Sequence, residues 1–485
     1  MLTTKQAQTM EIKEKKQKNI GIWGLGKVGT SAIQYFFNQG YQVKLLEKRI
    51  ITDKEKKWLK KRKVHIYHHQ EINAFLDQNE RILASPGVDL SLYPQYQHKW
   101  LTELDIIGQN CTCPIVGITG TVGKTTITTL LSQMLQKANL NVWTGGNIGT
   151  PMLKMLTCMN PIDLAVLEAS SFQLEHCKTF APNLAIWTNF YPNHLDRHKT
   201  IQDYFAAKKK IFDFQDIKQH ALLPLSLIDL LQPTKKINSN FSFFCNQQPL
   251  SHTLKKLRPQ DQLFYLKNKN ILHYCDGATE AIQNLTTLKH NTFEENLLIL
   301  FSALYILNRT KELSEANLQN VKNIPCSTLE HRLEKVATIN GVTFYNDSKS
   351  TTPASTLAAV NKLCNQPIIL LLGGLSKGVN RDGLIEQVKN KVKKIYCFGK
   401  EAAILAILCQ AYAISHKQCT NLDEATLASY AIASDGDQIL LSPSGSSFDL
   451  FASYIERGNY FKQLIQNRIQ DLPIQAAKKE VVPSK

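Results

Sequence analysis

Lys124 is the first residue at which chemistry can be read. It lies near the end of the run Pro114-Ile115-Val116-Gly117-Ile118-Thr119-Gly120-Thr121-Val122-Gly123-Lys124-Thr125-Thr126, where a short apolar stretch gives way to two glycines, a cation and two hydroxyls. Glycines let backbone N–H groups approach phosphate oxygens, the helix that follows presents its positive end, and the lysine adds a point charge. The Thr125 hydroxyl suits Mg²⁺, so ATP or GTP is the expected ligand. Ile118 stands where the strict pattern has its first glycine, so the reading rests on strand, glycine pair, Lys and Thr occurring together.

Other chemistry-bearing residues also follow apolar runs. Residues 162–167 read as a buried strand ending at Glu168-Ala169-Ser170-Ser171. A carboxylate at the carboxyl end of a parallel strand, in the sheet of a P-loop, is the first candidate for Mg²⁺. A strand over 184–188 leads into Asn189-Phe190-Tyr191-Pro192-Asn193-His194-Leu195-Asp196-Arg197-His198, and Asp203 begins a helix carrying Lys208, Lys209 and Lys210. Gly145-Gly146-Asn147-Ile148-Gly149-Thr150-Pro151 is so rich in glycine that a loop is expected throughout.

These residues need elements to hold them. Near the amino terminus, strand Asn19-Ile20-Gly21-Ile22-Trp23 runs into Gly24-Leu25-Gly26-Lys27-Val28-Gly29, and a second strand over 41–46 ends at Glu47. This is a dinucleotide fingerprint: glycines for the tight turn, phosphate approach and packing, and an acid about twenty residues on for a ribose or base edge. A redox dinucleotide domain is the alternative, disfavoured by the second nucleotide motif that follows. Ala84-Ser85-Pro86-Gly87-Val88 turns back toward the same crevice. Residues 222–285 show several weak strands, 297–307 a buried helix too short for a bilayer, and Ile324-Pro325-Cys326 a boundary. Beyond it, Glu330-His331-Arg332-Leu333-Glu334 precedes a hairpin. Strands over 342–345, 368–372, 394–398 and 438–441 end in Asn346-Asp347-Ser348-Lys349, Gly373-Gly374-Leu375-Ser376-Lys377, Gly399-Lys400 and Ser442-Pro443-Ser444-Gly445-Ser446-Ser447-Phe448-Asp449. The pattern is α/β: three domains, a Rossmann-like first, a P-loop ATPase second and a Rossmann-like third.

Bulk properties agree with a globular enzyme. The chain has 485 residues, 43% of them hydrophobic, and a formal charge of +17, with lysines scattered over many predicted helices. A solvated basic surface of that kind attracts a polyanionic substrate and lacks the single basic arm of a nucleic-acid binder. Eleven cysteines include no C-x-x-C pair, and Cys111 and Cys113 are too isolated for a zinc site, so reduced thiols in a cytoplasmic protein are expected. The polar lead 1–18 shows no signal peptide, and the tail 475–485 is expected to fray.

Taken together, Gly120 to Thr126, Glu168-Ala169-Ser170-Ser171-Phe172-Gln173-Leu174, His194-Leu195-Asp196-Arg197-His198, His331-Arg332, Asn346-Asp347-Ser348-Lys349 and the serine-rich turn at Ser442 resemble the Mur ligase family over nearly the whole chain. Gly24-Leu25-Gly26, Ser447-Phe448-Asp449 and Glu456-Arg457-Gly458 resemble the member that adds D-glutamate to UDP-N-acetylmuramoyl-L-alanine in peptidoglycan synthesis. Another ligase of the superfamily, such as the folylpolyglutamate type, is the nearest rival.

The resemblance implies domains at 1–110 for the UDP substrate, 111–326 for ATP and 327–485 for the amino acid and closure over ATP. It implies ATP with Mg²⁺, a monomer, and no nucleic acid or membrane insertion. Gly26, Lys27, Glu47, Lys48, Arg49, Ser85, Pro86, Gly87 and Asn147 would meet the UDP substrate. Gly120, Thr121, Gly123, Lys124, Thr125, Thr126, Arg332 and Asp347 would meet ATP. Thr125, Glu168, His194 and a carbamylated Lys208 would hold metal, with Lys124, His194 and Lys208 catalytic. Lys349, Thr351, Lys377, Ser447 and Phe448 would bind D-glutamate. This sequence departs from the family at Val122 and Asn193, where polar or acidic residues are usual, and His290-Asn291 resembles an adenine contact whose second Asn, Asn296, is two residues displaced.

Overall fold

The structure is a computed structural model that describes residues 18–231, 239–288, 292–321 and 329–469. The polar lead before residue 18, the pair His290-Asn291, the boundary at 324–326 and the tail from 475 lie outside the described residues. The chain divides into two compact units, one holding 1–188, 205–288 and 293–324, the other 189–204, 289–292 and 325–485.

The first unit contains two sheets. Strands β1 (Asn19–Trp23), β2 (Gln42–Leu46), β3 (His65–Tyr67), β4 (Ile82–Ala84) and β5 (Trp100–Leu101) form a parallel sheet in the order β3-β2-β1-β4-β5. Gly29, in the helix Lys27–Asn38, explains how that helix lies so close to β1: a Cβ there would fall 1.8 Å from the Gly24 carbonyl oxygen. The second sheet comprises β6 (Ile115–Thr119), β7 (Val142–Gly146), β8 (Leu164–Glu168), β9 (Leu184–Trp187), β10 (His220–Pro224), β11 (Asn240–Cys245), β12 (Gln262–Lys267), β13 (Asn270–Cys275) and β14 (Ala278–Asn284). Its order is β14-β13-β12-β11-β10-β9-β6-β8-β7, parallel up to β12 and antiparallel beyond. Every residue of β6, β8 and β9 is buried, as expected of parallel strands covered on both faces. The apolar helix Glu294–Arg309 packs on β10 to β12 and on the helix Lys124–Lys137. Among the described residues no helix is long and apolar enough to cross a membrane.

The glycine-rich stretch differs from expectation. Gly145 and Gly146 end β7 instead of lying in a loop. A Cβ at Gly146, where φ is +110°, would meet the Glu168 carbonyl oxygen at 2.2 Å, and one at Gly145 would meet the Thr150 carbonyl oxygen at 2.6 Å. The glycines are there so that neighbouring backbone can come close, which a strand permits.

A reciprocal set of bonds joins the two sheets of this unit. Asp105, on the connecting helix Glu103–Asn110, accepts from the backbone N–H groups of Lys178 at 2.8 Å and Thr179 at 2.7 Å. Lys178 in turn sends its ammonium back to the carbonyls of Gln97 and Trp100, both at 3.0 Å. Burial alone would raise the Asp105 carboxyl, but the hydrogen bonds from Lys178, Thr102 and Thr179 outweigh it and hold the group below its ordinary value.

The second unit holds one sheet, built from β15 (Glu334–Ile339), β16 (Val342–Asn346), β17 (Ile368–Gly373), β18 (Val392–Phe398), β19 (His416–Cys419) and β20 (Gln438–Leu441). The order is β15-β16-β20-β17-β18-β19, with only the β15–β16 hairpin antiparallel. Cores cover both faces, one around Phe344, Leu371 and Phe461, the other around Leu370, Ile385 and Leu405. In such sheets functional loops gather at the carboxyl ends of the strands.

Candidate active site

Between β6 and the helix Lys124–Lys137 the chain makes a tight turn that only glycine can complete. Gly120 has φ +146°, and a Cβ there would lie 2.0 Å from Thr188 Oγ1. Gly123, at φ +83°, is the residue before the helix. Thr188 locks the loop by donating its hydroxyl to the Val122 carbonyl at 2.6 Å. Lys124 folds back over the turn, its ammonium donating to the carbonyls of Gly120 at 2.8 Å and Thr121 at 3.0 Å. Thr125 is half-buried and Thr126 buried in the first helical turn. The result is a helix amino terminus, a cation and a glycine backbone facing one place.

Two further predicted residues reach this turn. Lys208, on the helix Ile201–Lys209 and 1% exposed, donates to the Gly120 carbonyl at 2.8 Å. Burial first, and then the Lys124 charge, push its pKa well below the ordinary lysine value, against a smaller pull upward from Glu168. Glu168 ends β8 and is also 1% exposed. Its Oε1 accepts from Asn147 Nδ2 at 2.8 Å, whereas its Oε2 finds no hydrogen-bond partner among the described residues. A buried carboxylate oxygen left in that state is costly unless something cationic completes it. Asn147 is thereby tied to Glu168 by side chain and also by backbone, its N–H donating to the Glu168 carbonyl at 2.8 Å.

The residues predicted for the UDP moiety, Asn147 apart, lie at the carboxyl ends of β1, β2 and β4. Glu47 accepts from the backbone N–H groups of Leu25 at 2.6 Å, Lys48 at 2.7 Å and Arg49 at 3.0 Å, fixing the glycine turn to the end of β2. Ser85 stands against the same turn: its N–H donates to the Trp23 carbonyl at 2.8 Å, and a Cβ at Gly24 would lie 2.7 Å from its Oγ. Pro86 and the exposed Gly87 continue from it. A Cβ at Gly26 or Gly87 would meet nothing within 4 Å among the described residues, so the turn faces open space. An open cleft of about 820 Å³ begins there, lined by Gly26 and Lys27 on one side and by Gly149, Thr150 and Pro151 on the other. The exposed Lys48 and Arg49 stand outside that lining, Arg49 paired with Glu55 at 2.6 Å.

In the second unit, Asp347 lies past the end of β16 and is buried. It accepts from Leu333 N–H at 3.1 Å and Ser442 Oγ at 2.8 Å. Burial pushes its carboxyl up to about 6, partly opposed by those bonds and by the charge of Arg332. Lys349 holds its ammonium 4.8 Å from the centre of the Tyr454 ring, a cation–π distance. His194, at φ +56°, follows the buried Asn193, whose Oδ1 accepts its N–H at 2.9 Å. The loop carrying it lies against the turn after β17, where a Cβ at Gly378 would be 3.7 Å from Asp196 N. Lys377 in that turn is pulled below its ordinary value by burial, while Asp196 opposes the shift. Thr351 is half-buried and Ser447 buried, but Phe448 is left 69% exposed.

Three contributors were not anticipated as site residues. Thr188 braces the phosphate turn, and Tyr454 underlies Lys349. Arg457, fully buried, donates to the Ser348 carbonyl at 2.7 Å and the Gly445 carbonyl at 3.1 Å, joining the loops after β16 and β20. Burial lowers its pKa to about 10. Arg457 had a signal in the sequence, a charged residue in the Glu456-Arg457-Gly458 motif, but its partners are over a hundred residues away in one case.

Comparison with known proteins covers the same three regions. Family models match residues 18–108 (Mur ligase MurD-like, N-terminal domain), 118–272 (Mur ligase middle domain) and 331–445 (Mur ligase, glutamate ligase domain). A UDP-N-acetylmuramoylalanine--D-glutamate ligase of Caldanaerobacter subterraneus subsp. tengcongensis is 31% identical over 94% of this chain and 99% of its own. The protein of that name from Caldicellulosiruptor saccharolyticus is 32% identical over 92% of this chain and 98% of its own. Among solved structures, a pseudomurein peptide ligase type C from Methanothermus fervidus shares the fold with TM-score 0.55 at 18% identity, covering 93% of this chain and 99% of its own. MurF ligase from Thermotoga maritima in complex with ADP gives TM-score 0.55 at 15% identity, covering 94% and 97%.

Proposed function

The chain belongs to the Mur ligase family, and from that premise we propose that it uses ATP to join D-glutamate to UDP-N-acetylmuramoyl-L-alanine in peptidoglycan synthesis. The observation that carries the reading is the meeting of Lys124, Lys208 and Glu168 around the Gly120 turn, within a chain similar to ligases of that name along almost its full length. We place the reaction in the cytoplasm and expect a monomer.

A carboxylate and an amine do not condense at neutral pH, so the carboxylate must first become electrophilic. An oxygen of the alanyl carboxylate attacks the γ-phosphorus of ATP, the bond to the β,γ-bridging oxygen breaks, and ADP leaves an acyl phosphate. The amine of D-glutamate then attacks the acyl carbon, phosphate departs with the C–O bond electrons, and loss of a proton from nitrogen gives the amide. Lys124 and the N–H groups from Gly120 to Thr126 stabilise charge on the transferred phosphoryl oxygens, and enclosure keeps water from the acyl phosphate.

Glu168 Oε2 and the Thr125 hydroxyl suit Mg²⁺, which binds through one or two protein oxygens plus phosphates and keeps several waters. When bound, the ion neutralises phosphate charge. We assign His194 and a carbamylated Lys208 to the same metal chemistry. In Lys208, burial favours the neutral amine, which can add carbon dioxide and lose a proton to give an anion. Gly26, Lys27, Glu47, Lys48, Arg49, Ser85, Pro86, Gly87 and Asn147 are assigned to the UDP substrate, and Arg332 and Asp347 to ATP. Lys349, Thr351, Lys377, Ser447 and Phe448 are assigned to D-glutamate. Lys377, a cation partly withdrawn from water, suits a dianionic amino acid.

The test is phosphate release from ATP by purified protein. It should require both UDP-N-acetylmuramoyl-L-alanine and D-glutamate. Product with a different amino acid and none with D-glutamate would leave the family and overturn this substrate.

A further inference from the structure

The connection from the helix Glu103–Asn110 to β6 carries a feature with no part in ligation: Cys111 and Cys113 bring their sulfurs to 3.3 Å. Both residues are half-buried, so the pair is reachable from solvent. Cys111 Sγ also lies 3.4 Å from the Cys113 carbonyl, which places its thiol over its neighbour's backbone. The sulfurs already lie 3.3 Å apart, so reaching the bonded S–S distance of about 2.05 Å takes a short side-chain movement.

We propose that Cys111 and Cys113 form a dithiol site that reacts with low-molecular-weight disulfides and closes to an intrachain disulfide. The Cys111 thiolate attacks one sulfur of R–S–S–R, forming a mixed disulfide and releasing RS⁻. Cys113 then gives its proton to solvent, and its thiolate attacks Cys111 Sγ. The Cys111–Cys113 bond forms as a second RS⁻ leaves, so the protein dithiol is oxidised and the small disulfide reduced to two thiols.

The contact between the two sulfurs primes the pair for attack. The Cys113 thiol beside it lowers Cys111 to about 7, although burial opposes the shift. Cys113 is raised, by the same contact and by burial, and the carboxylate of Asp163 adds to that rise. With the sulfurs 3.3 Å apart, the S–H of one stabilises a thiolate on the other, so the pair supplies one attacking and one resolving sulfur. The closed ring is small and gains little from chain closure, so reductant reopens it readily.

The experiment treats reduced full-length protein with glutathione disulfide near pH 7, blocks remaining thiols with iodoacetamide, and maps the peptide spanning 111–113 by mass. Wild type should lose two hydrogens there with no adduct, while the exposed Cys158 and Cys364 stop at mixed disulfides. Cys113→Ser should accumulate glutathione on Cys111 and Cys111→Ser should accumulate it on Cys113, neither variant closing to a disulfide. Separate adducts on both cysteines of wild type, or an unreacted pair, would overturn the proposal. A readout without substitutions uses phenylarsine oxide on wild type. One equivalent bridging this peptide, released by a dithiol and not by a monothiol, supports the site; attachment elsewhere only overturns it.

Discussion

Lys124 and Lys208 donate to one acceptor, each ammonium lying 2.8 Å from the carbonyl oxygen of Gly120. Two cations sharing one neutral oxygen, one of them buried, is an arrangement that favours loss of charge from the buried partner. Lys208→Ala should therefore lower ligation by about 100-fold, with partial recovery when short carboxylic acids are added to replace a carbamate. Steady-state phosphate release measures both. Activity equal to wild type would remove Lys208 from the reaction.

Lys124→Ala should reduce turnover by about 1,000-fold, the scale expected when a preorganised charge at the transferred phosphoryl is lost. The residues assigned to the UDP substrate are carried mainly by the ends of β1, β2 and β4, so thermal stabilisation by that substrate should persist in the variant. Loss of both signals together would mean that the two ligand sites are not separable in this way.

Gly29→Ala probes packing apart from chemistry. Its new methyl would start 1.8 Å from a backbone oxygen, which flexible side chains cannot relieve. Overpacking of this kind costs about 1–3 kcal/mol or more, and chemical denaturation should read it as a lower midpoint. An unchanged midpoint would show that the helix Lys27–Asn38 can shift away from β1 at no cost.

Glu103 supplies the pH dependence. It is buried, and that burial raises its carboxyl to about 7, against hydrogen bonds from Leu153 N–H and the Gln173 side chain. The unfolded chain releases this proton near 4.5. Between those values the folded state holds more protons, so the stability associated with the protonated group is full below about pH 4.5 and is lost as pH rises through about 7. The span corresponds to about 3 kcal/mol. Glu103→Gln should flatten this slope, its melting temperature rising relative to wild type between about pH 5 and about pH 8. Parallel curves would show that Glu103 is ionised in the folded protein throughout.

Local pattern was enough where one strand carried its own evidence. The runs at Asn19–Trp23 and Gln438–Leu441 appear at the expected residues because they are short, apolar and bounded by turns. It failed at β7, where the reason for Gly146 is the backbone of the neighbouring strand β8, which no local window contains. The weak signals between 222 and 285 became β10 to β14, whose last strand is largely exposed and so lacks an apolar stripe. The same distinction holds in the candidate site. Glu168 stands at a strand end and Lys124 at the start of the helix after one, places that the sequence marks, whereas Thr188, Tyr454 and Arg457 matter through partners far along the chain.

Asp105 and Lys178 grip opposite sides of the junction between the first two sheets, and neither bond depends on the peptide link at residues 111–114 being intact. The protein should thus tolerate being made as two polypeptides broken at that point. Co-expressed halves would assemble without a covalent tether, giving a split enzyme whose reconstitution reports on the junction itself.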